Sequence, residues 1–151
     1  MHAPLCLLKK LDAVYHSALR FVTGAPSRTH HCDLYSKVQW PSLYLRRKLH
    51  MLLFIAKALL GKLPYYICNL LTFCTLSYGT RSSHKLLLQS CTPRTELGKT
   101  GFSFYAPYLW NELQKILCMD SLPSLETFKR QINTVYRGVS LFLTMQHIGY
   151  F

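Results

Sequence analysis

Arg46, Arg47 and Lys48 stand together in the sequence, and Lys9, Lys10, Arg20, Arg28, His30 and His31 precede them. Arg81 follows in Thr80-Arg81-Ser82-Ser83, where a guanidinium and two hydroxyls form a combination suited to a phosphate. Cations in this number can track a nucleic-acid backbone, each contact releasing a condensed counterion. Tyr15, Tyr35, Trp40 and Tyr44 are interleaved with them and offer faces for base stacking. Trp40 reads better as a core residue, whereas Tyr35 and Tyr44 fit either use. These ten basic positions are the candidate nucleic-acid-binding set, with an RNA or DNA backbone as partner, held weakly and without sequence preference.

Other chemistry lacks its partners. Six Asp and Glu are spread along the chain with no D-x-D or paired-carboxylate arrangement for two metal ions. No G-x-S-x-G elbow, P-loop or G-x-G-x-x-G occurs. Cys32 beside His31 does not make a nucleophile and base, because sequence neighbours are not a dyad and no orienting group is evident. His30, His31 and Cys32 are metal-ligand types, but adjacent side chains seldom converge on one ion and no fourth ligand is near. The expectation is therefore no enzyme, no small-molecule substrate, and no metal or other cofactor.

The elements that position these residues are helical. Trp40 to Gly61 predicts one long helix, with Pro41 at its first position and Gly61 just past its end. Leu45, Leu49, Leu52, Leu53, Ala56, Leu59 and Leu60 share a face, and Met51, Phe54, Ile55 and Ala58 widen it until the middle must be covered. Leu5 to Thr23 predicts a second helix through Leu8, Leu11, Val14, Tyr15, Ala18, Leu19 and Val22, ended by Gly24 and Pro26. Asp33 to Val38 and Leu63 to Leu71 predict short helices, the latter packing Tyr65, Ile67, Leu70 and Leu71. Leu86 to Leu88 and Lys99 to Tyr105 read as two strands of a hairpin joined by a turn at Pro93 to Gly98. Tyr105 to Leu117 is helical again, with Leu109, Trp110, Leu113, Ile116 and Leu117 on one side. A last helix, with Ser124 as N-cap, turns Leu125, Phe128, Ile132 and Val135 inward. From Gly138 the period is lost. The predicted fold is mainly α: a small bundle of about four main helices with one short β-hairpin and a poorly ordered C-terminal tail.

Composition sharpens the partner and the compartment. Eighteen Lys and Arg against six Asp and Glu give a formal charge of +12 in 151 residues, and the excess favours polyanions. Half of the residues are hydrophobic, enough for a core. Six cysteines, at 6, 32, 68, 74, 91 and 118, contain no C-x-x-C pair and read as free thiols. With no secretory leader at the N-terminus, an intracellular location, nuclear or cytoplasmic, is expected. The alternative is a small helical membrane or membrane-surface protein built on residues 49–80, although Lys57, Lys62 and Pro64 interrupt that stretch.

Taken in order, the motifs carry a resemblance. The run LDAVYHSALRFVTGAPSRTHHCDLYSKVQWPSLYLRRKLH is similar to the segment that follows the polymerase core in LINE-type, non-LTR retrotransposon polyproteins of the kind abundant in fish genomes. LLGKLPYYICNLL, TRSS, LGKTGFSFYAPYLWNEL and LPSLETFKRQI resemble the same region in the same order, over roughly residues 5 to 136. The resemblance implies a thumb-like helix in residues 1–24, a post-polymerase C-terminal region in 25–137 and a divergent tail in 138–151. In that family the aspartates of RNA-directed DNA polymerisation lie upstream in an F-A-D-D-like motif and the endonuclease further upstream. Neither is present in this sequence, so the expectation is a non-catalytic remnant of a reverse transcriptase.

Overall fold

The computed structural model describes residues 5–75 and 85–146, with side chains over 6–75 and 85–136. It is mainly helical, with α1 (Leu5–Thr23), α2 (His31–Val38), α3 (Leu43–Leu59), α4 (Tyr65–Cys68), α5 (Phe102–Leu117) and α6 (Leu125–Gln146). Backbone contacts divide it into two units, one of His50–Arg130, the other of His2–Leu49 with Gln131–Phe151. α3 and α6 each supply residues to both units.

The second of these holds α1, α2 and the start of α3. α1 ends as its sequence demands: Gly24 takes φ +61°, and the Ala25 N–H donates to Arg20 O at 3.1 Å. α2 ends less comfortably on Gln39, a non-glycine residue at φ 53°. α3 starts later than expected. Ser42 is its cap, accepting from the Leu45 N–H at 3.3 Å, so Pro41 precedes the helix instead of opening it. Proline also disfavours helical geometry in the residue before it, and Trp40 accordingly stands outside the helix, 44% exposed and not in the core. Leu19, Leu34, Leu45, Ile132 and Tyr136 are buried here among the described residues. The predicted stripe of α1 is only partly covered: Leu19 is buried, while Leu11, Val14 and Val22 are exposed, as is Phe21 at 89%.

The unit of 50–130 has a larger core. Leu52, Ile55, Ala56 and Ala58 of α3 are buried in it, as are Leu109, Trp110 and Leu113 of α5 and Phe128 of α6. The Trp110 and Phe128 rings stack with centroids 5.6 Å apart. Ser124 caps α6 as expected, accepting from the Thr127 N–H at 3.2 Å, and the Thr127 hydroxyl, where a capping box has Glu or Gln, lies 3.0 Å from the Ser124 hydroxyl. α4 is shorter than predicted. Leu71 is buried behind it, but Tyr65 and Leu70, expected to pack, are exposed.

The hairpin does not form. Among the described residues Leu88 makes a single bridge, to Phe73, and Gly98–Thr100 is a 3-10 turn leading directly into α5. The alternating stretch of Lys99 to Tyr105 is therefore divided between that turn and the start of α5 at Phe102. Pro107 lies inside that helix and lacks the N–H that would bond to Ser103 O. The Cys91 thiol donates to that carbonyl instead, at 3.5 Å. The extended segment pairs across the helix rather than with a strand: Asn111 accepts from the Leu88 N–H and donates to Leu88 O, both at 2.9 Å, and Trp110 Nε1 donates to Leu86 O at 2.7 Å. Ile116, predicted to face inward, is exposed. α6 carries the last helix on to Gln146; residues 147–151, and with them the end of the expected tail, lie outside the described residues.

Candidate nucleic-acid interface

Nine of the ten candidate cations fall in the unit that holds α1 and α2, and Arg81 lies outside the described residues. Lys9 and Lys10 are exposed on α1, and Arg28 and His30 are exposed on the connection to α2. Arg20, His31, Arg46, Arg47 and Lys48 are half-buried. Arg20 reaches across the α1–α2 connection and donates from Nη2 to Thr29 O at 3.2 Å, which ties down the loop carrying His30. Its Nε, like Arg47 Nη1, is a buried donor with no acceptor. Such a group loses its hydration without compensation unless an anion or water answers it.

The other half-buried cations rest on rings. Arg46 lies 5.7 Å from the Tyr15 ring centroid and 6.0 Å from that of Trp40, and Lys48 Nζ lies 5.2 Å from that of Tyr136. Tyr15 and Trp40, candidate stacking platforms, thus hold a guanidinium, and the Tyr15 hydroxyl donates to Pro41 O at 3.1 Å. Tyr44 is exposed and keeps its face for a base. None of the eight Lys and Arg before residue 50 pairs with a carboxylate among the described residues; the ion pairs seen there are Lys99–Glu96 and Lys115–Glu112, in the other unit.

A histidine cluster joins α1 to α2. His16 Nε2 and the Tyr35 hydroxyl are 2.8 Å apart, and the His16 ring stacks on His31 with centroids 5.4 Å apart. His30 and His31 are closer, at 4.0 Å. Burial holds His16 below its usual 6.5, and burial, then the neighbouring Tyr15, pushes Tyr35 up to about 12. At neutral pH the tyrosine therefore donates and the neutral imidazole accepts. Sequence reasoning passed over His16. The signal was there: Asp12, His16 and Arg20 recur every four residues, which aligns them on the side of α1 that also carries buried Leu19.

The expectation that His30, His31 and Cys32 would not converge is corrected. One ligand atom from each lies within 4.8 Å of the other two. His30 is the cap of α2, extended at ψ 146°, and its Nδ1 accepts from the Cys32 N–H at 3.4 Å, so the chain folds back and gathers all three side chains.

Among the described residues no helix is long and apolar enough to cross a membrane; α3, the centre of the 49–80 alternative, stops at Leu59 and carries Lys57. Compared with protein families, curated proteins and solved structures, the chain matches none.

Proposed function

We propose that the chain is a non-catalytic, nucleic-acid-binding remnant of a retrotransposon reverse transcriptase. Its surface around α1, α2 and the start of α3 would hold an RNA or DNA backbone without reading sequence. The observation that carries this reading is charge without counter-charge. The unit contains nine Lys and Arg against two Asp, and Arg20, Arg46 and Lys48 lean on a carbonyl or on rings instead of acids. Exposed Lys9, Lys10 and Arg28 add donors for phosphate, and exposed Tyr44 adds a face for a base. The order of the motifs, which resembles that of the LINE-type segment, supports the origin, and the resemblance implies that the polymerising aspartates belong to an upstream region.

Fluorescence anisotropy with a single-stranded RNA and a DNA duplex tests the reading. Binding is expected in the micromolar range or weaker, falling steeply with salt. Lys9→Gln, Lys10→Gln and Arg28→Gln together, all at exposed positions, are expected to reduce the slope of log affinity against log salt by about two to three on duplex DNA. Affinity indifferent to salt, or a slope untouched by the triple variant, sinks it.

A further inference from the structure

The convergence of His30, His31 and Cys32 has no use in binding a phosphate backbone, since a thiol adds nothing there. We propose that these three side chains form a site for a thiolate-seeking divalent transition ion, zinc(II) in the first instance, with solvent as the fourth ligand. The ligand set decides the class of ion. Two imidazoles and a sulfur are borderline-to-soft donors, which suit zinc and its neighbours and do not suit magnesium or calcium, whose sites are built from oxygens.

Geometry supports it. Tetrahedral zinc with bonds of about 2.0–2.1 Å to nitrogen and about 2.3 Å to sulfur sets its ligand atoms about 3.4–3.6 Å apart. The three atoms here already lie within 4.8 Å of each other, so rotation about side-chain bonds closes the remaining distance of about 1 Å without moving the backbone. His30 is exposed, and the weak cap contact from the Cys32 N–H is the hydrogen bond its ring makes. His31 is held from behind by the stacked His16 ring and by the edge of Tyr35, with centroids 6.2 Å apart, and Arg20 fixes the loop at Thr29. Positioning of one ligand ring by neighbours not themselves ligands is how metal sites are commonly oriented.

The electrostatics select for a thiolate site. The first turn of α2 presents a positive helix end, and the chain is strongly cationic, so a bare dication is repelled. Coordination removes the thiol proton, which passes to the buffer, and the resulting sulfur anion cancels one charge of the ion; Asp33, in the same turn, lies beside it in the chain. The cap contact of His30 is given up. If the ion takes His30 Nδ1, it displaces the 3.4 Å contact from the Cys32 N–H, and if it takes Nε2, Nδ1 must carry the proton and the contact is lost as well.

Cobalt(II) titration of the full, reduced chain tests the site, because cobalt bonded to a thiolate gives a near-ultraviolet charge-transfer band. The expected result is one cobalt per chain, displaced by zinc(II), with the band abolished by Cys32→Ser and unaffected by Cys118→Ser. His30→Gln, at an exposed position, is expected to keep the fold and weaken cobalt binding by about tenfold or more. No band at stoichiometric cobalt, a band that survives Cys32→Ser, or an affinity unchanged in His30→Gln overturns the proposal. Should Cys32→Ser fail to melt cooperatively, His30→Gln alone decides. Nucleic-acid binding plays no part in any of these readouts, so the site stands or falls apart from the proposed function.

Discussion

Among the described residues, the unit of residues 50–130 leaves one buried side-chain polar atom without a partner, Gln114 Nε2, and the unit around α1 and α2 leaves three, Arg20 Nε, Arg47 Nη1 and Gln131 Oε1. In the former, Trp110, Asn111 and Gln114 each meet a backbone partner, at 2.7, 2.9 and 3.0 Å, and two lysines meet glutamates. In the latter, cations rest on rings and two guanidinium nitrogens lack acceptors. The contrast is one of purpose. A region with more unpaired cations is stabilised further by whatever supplies the missing partners.

The sharpest way to break the contrast is through the cores. Trp110→Ala is expected to cost about 3–5 kcal/mol, from lost packing against Phe128 and an orphaned Leu86 carbonyl, whereas Leu34→Ala in the other unit should cost about 2–3 kcal/mol. Equal losses in chemical denaturation would remove the distinction. Asn111→Ala strips partners from both polar groups of Leu88 and is expected to cost about 2–3 kcal/mol, with faster hydrogen exchange at the Leu88 amide. Each unit also has one strained helix end, so Gln39→Gly and Cys118→Gly should each raise stability by about 0.5–1 kcal/mol in thermal melts. The smallest effect belongs to the exposed pair: Lys99→Ala should change stability by about 0.5 kcal/mol or less and leave anisotropy titrations with RNA unchanged. A loss of RNA affinity there would spread the interface beyond α1 and α2.

Local rules made much of this architecture legible. Gly24, Gly61 and Ser124 end or begin helices for reasons internal to a few residues, and all three do so here. Failures came where a distant partner overrides the local preference. Pro107 argues for a helix starting after Phe104, and nothing local reveals that Cys91 will answer the carbonyl that proline orphans. Leu86 to Leu88 was readable as extended, but its partners are a helix side chain and Phe73, not the alternating stretch that follows. For the site, charge density singled out the first third of the chain, where nine of the ten candidate cations fall in one unit. The gathering of His30, His31 and Cys32 was invisible because it depends on backbone angles at the cap, which residue order alone does not give.

The treatment of Leu88 has a bearing on solubility. Gln89 N–H donates to Thr72 O and Cys74 N–H to Leu87 O, both at 2.8 Å, which occupies one flank of this short apolar run, while a side-chain amide occupies the other. A leucine-rich stretch with a bare flank would invite another molecule to add alongside it. Here a single asparagine stands where that intruder would dock, so its loss should favour self-association on heating as well as unfolding.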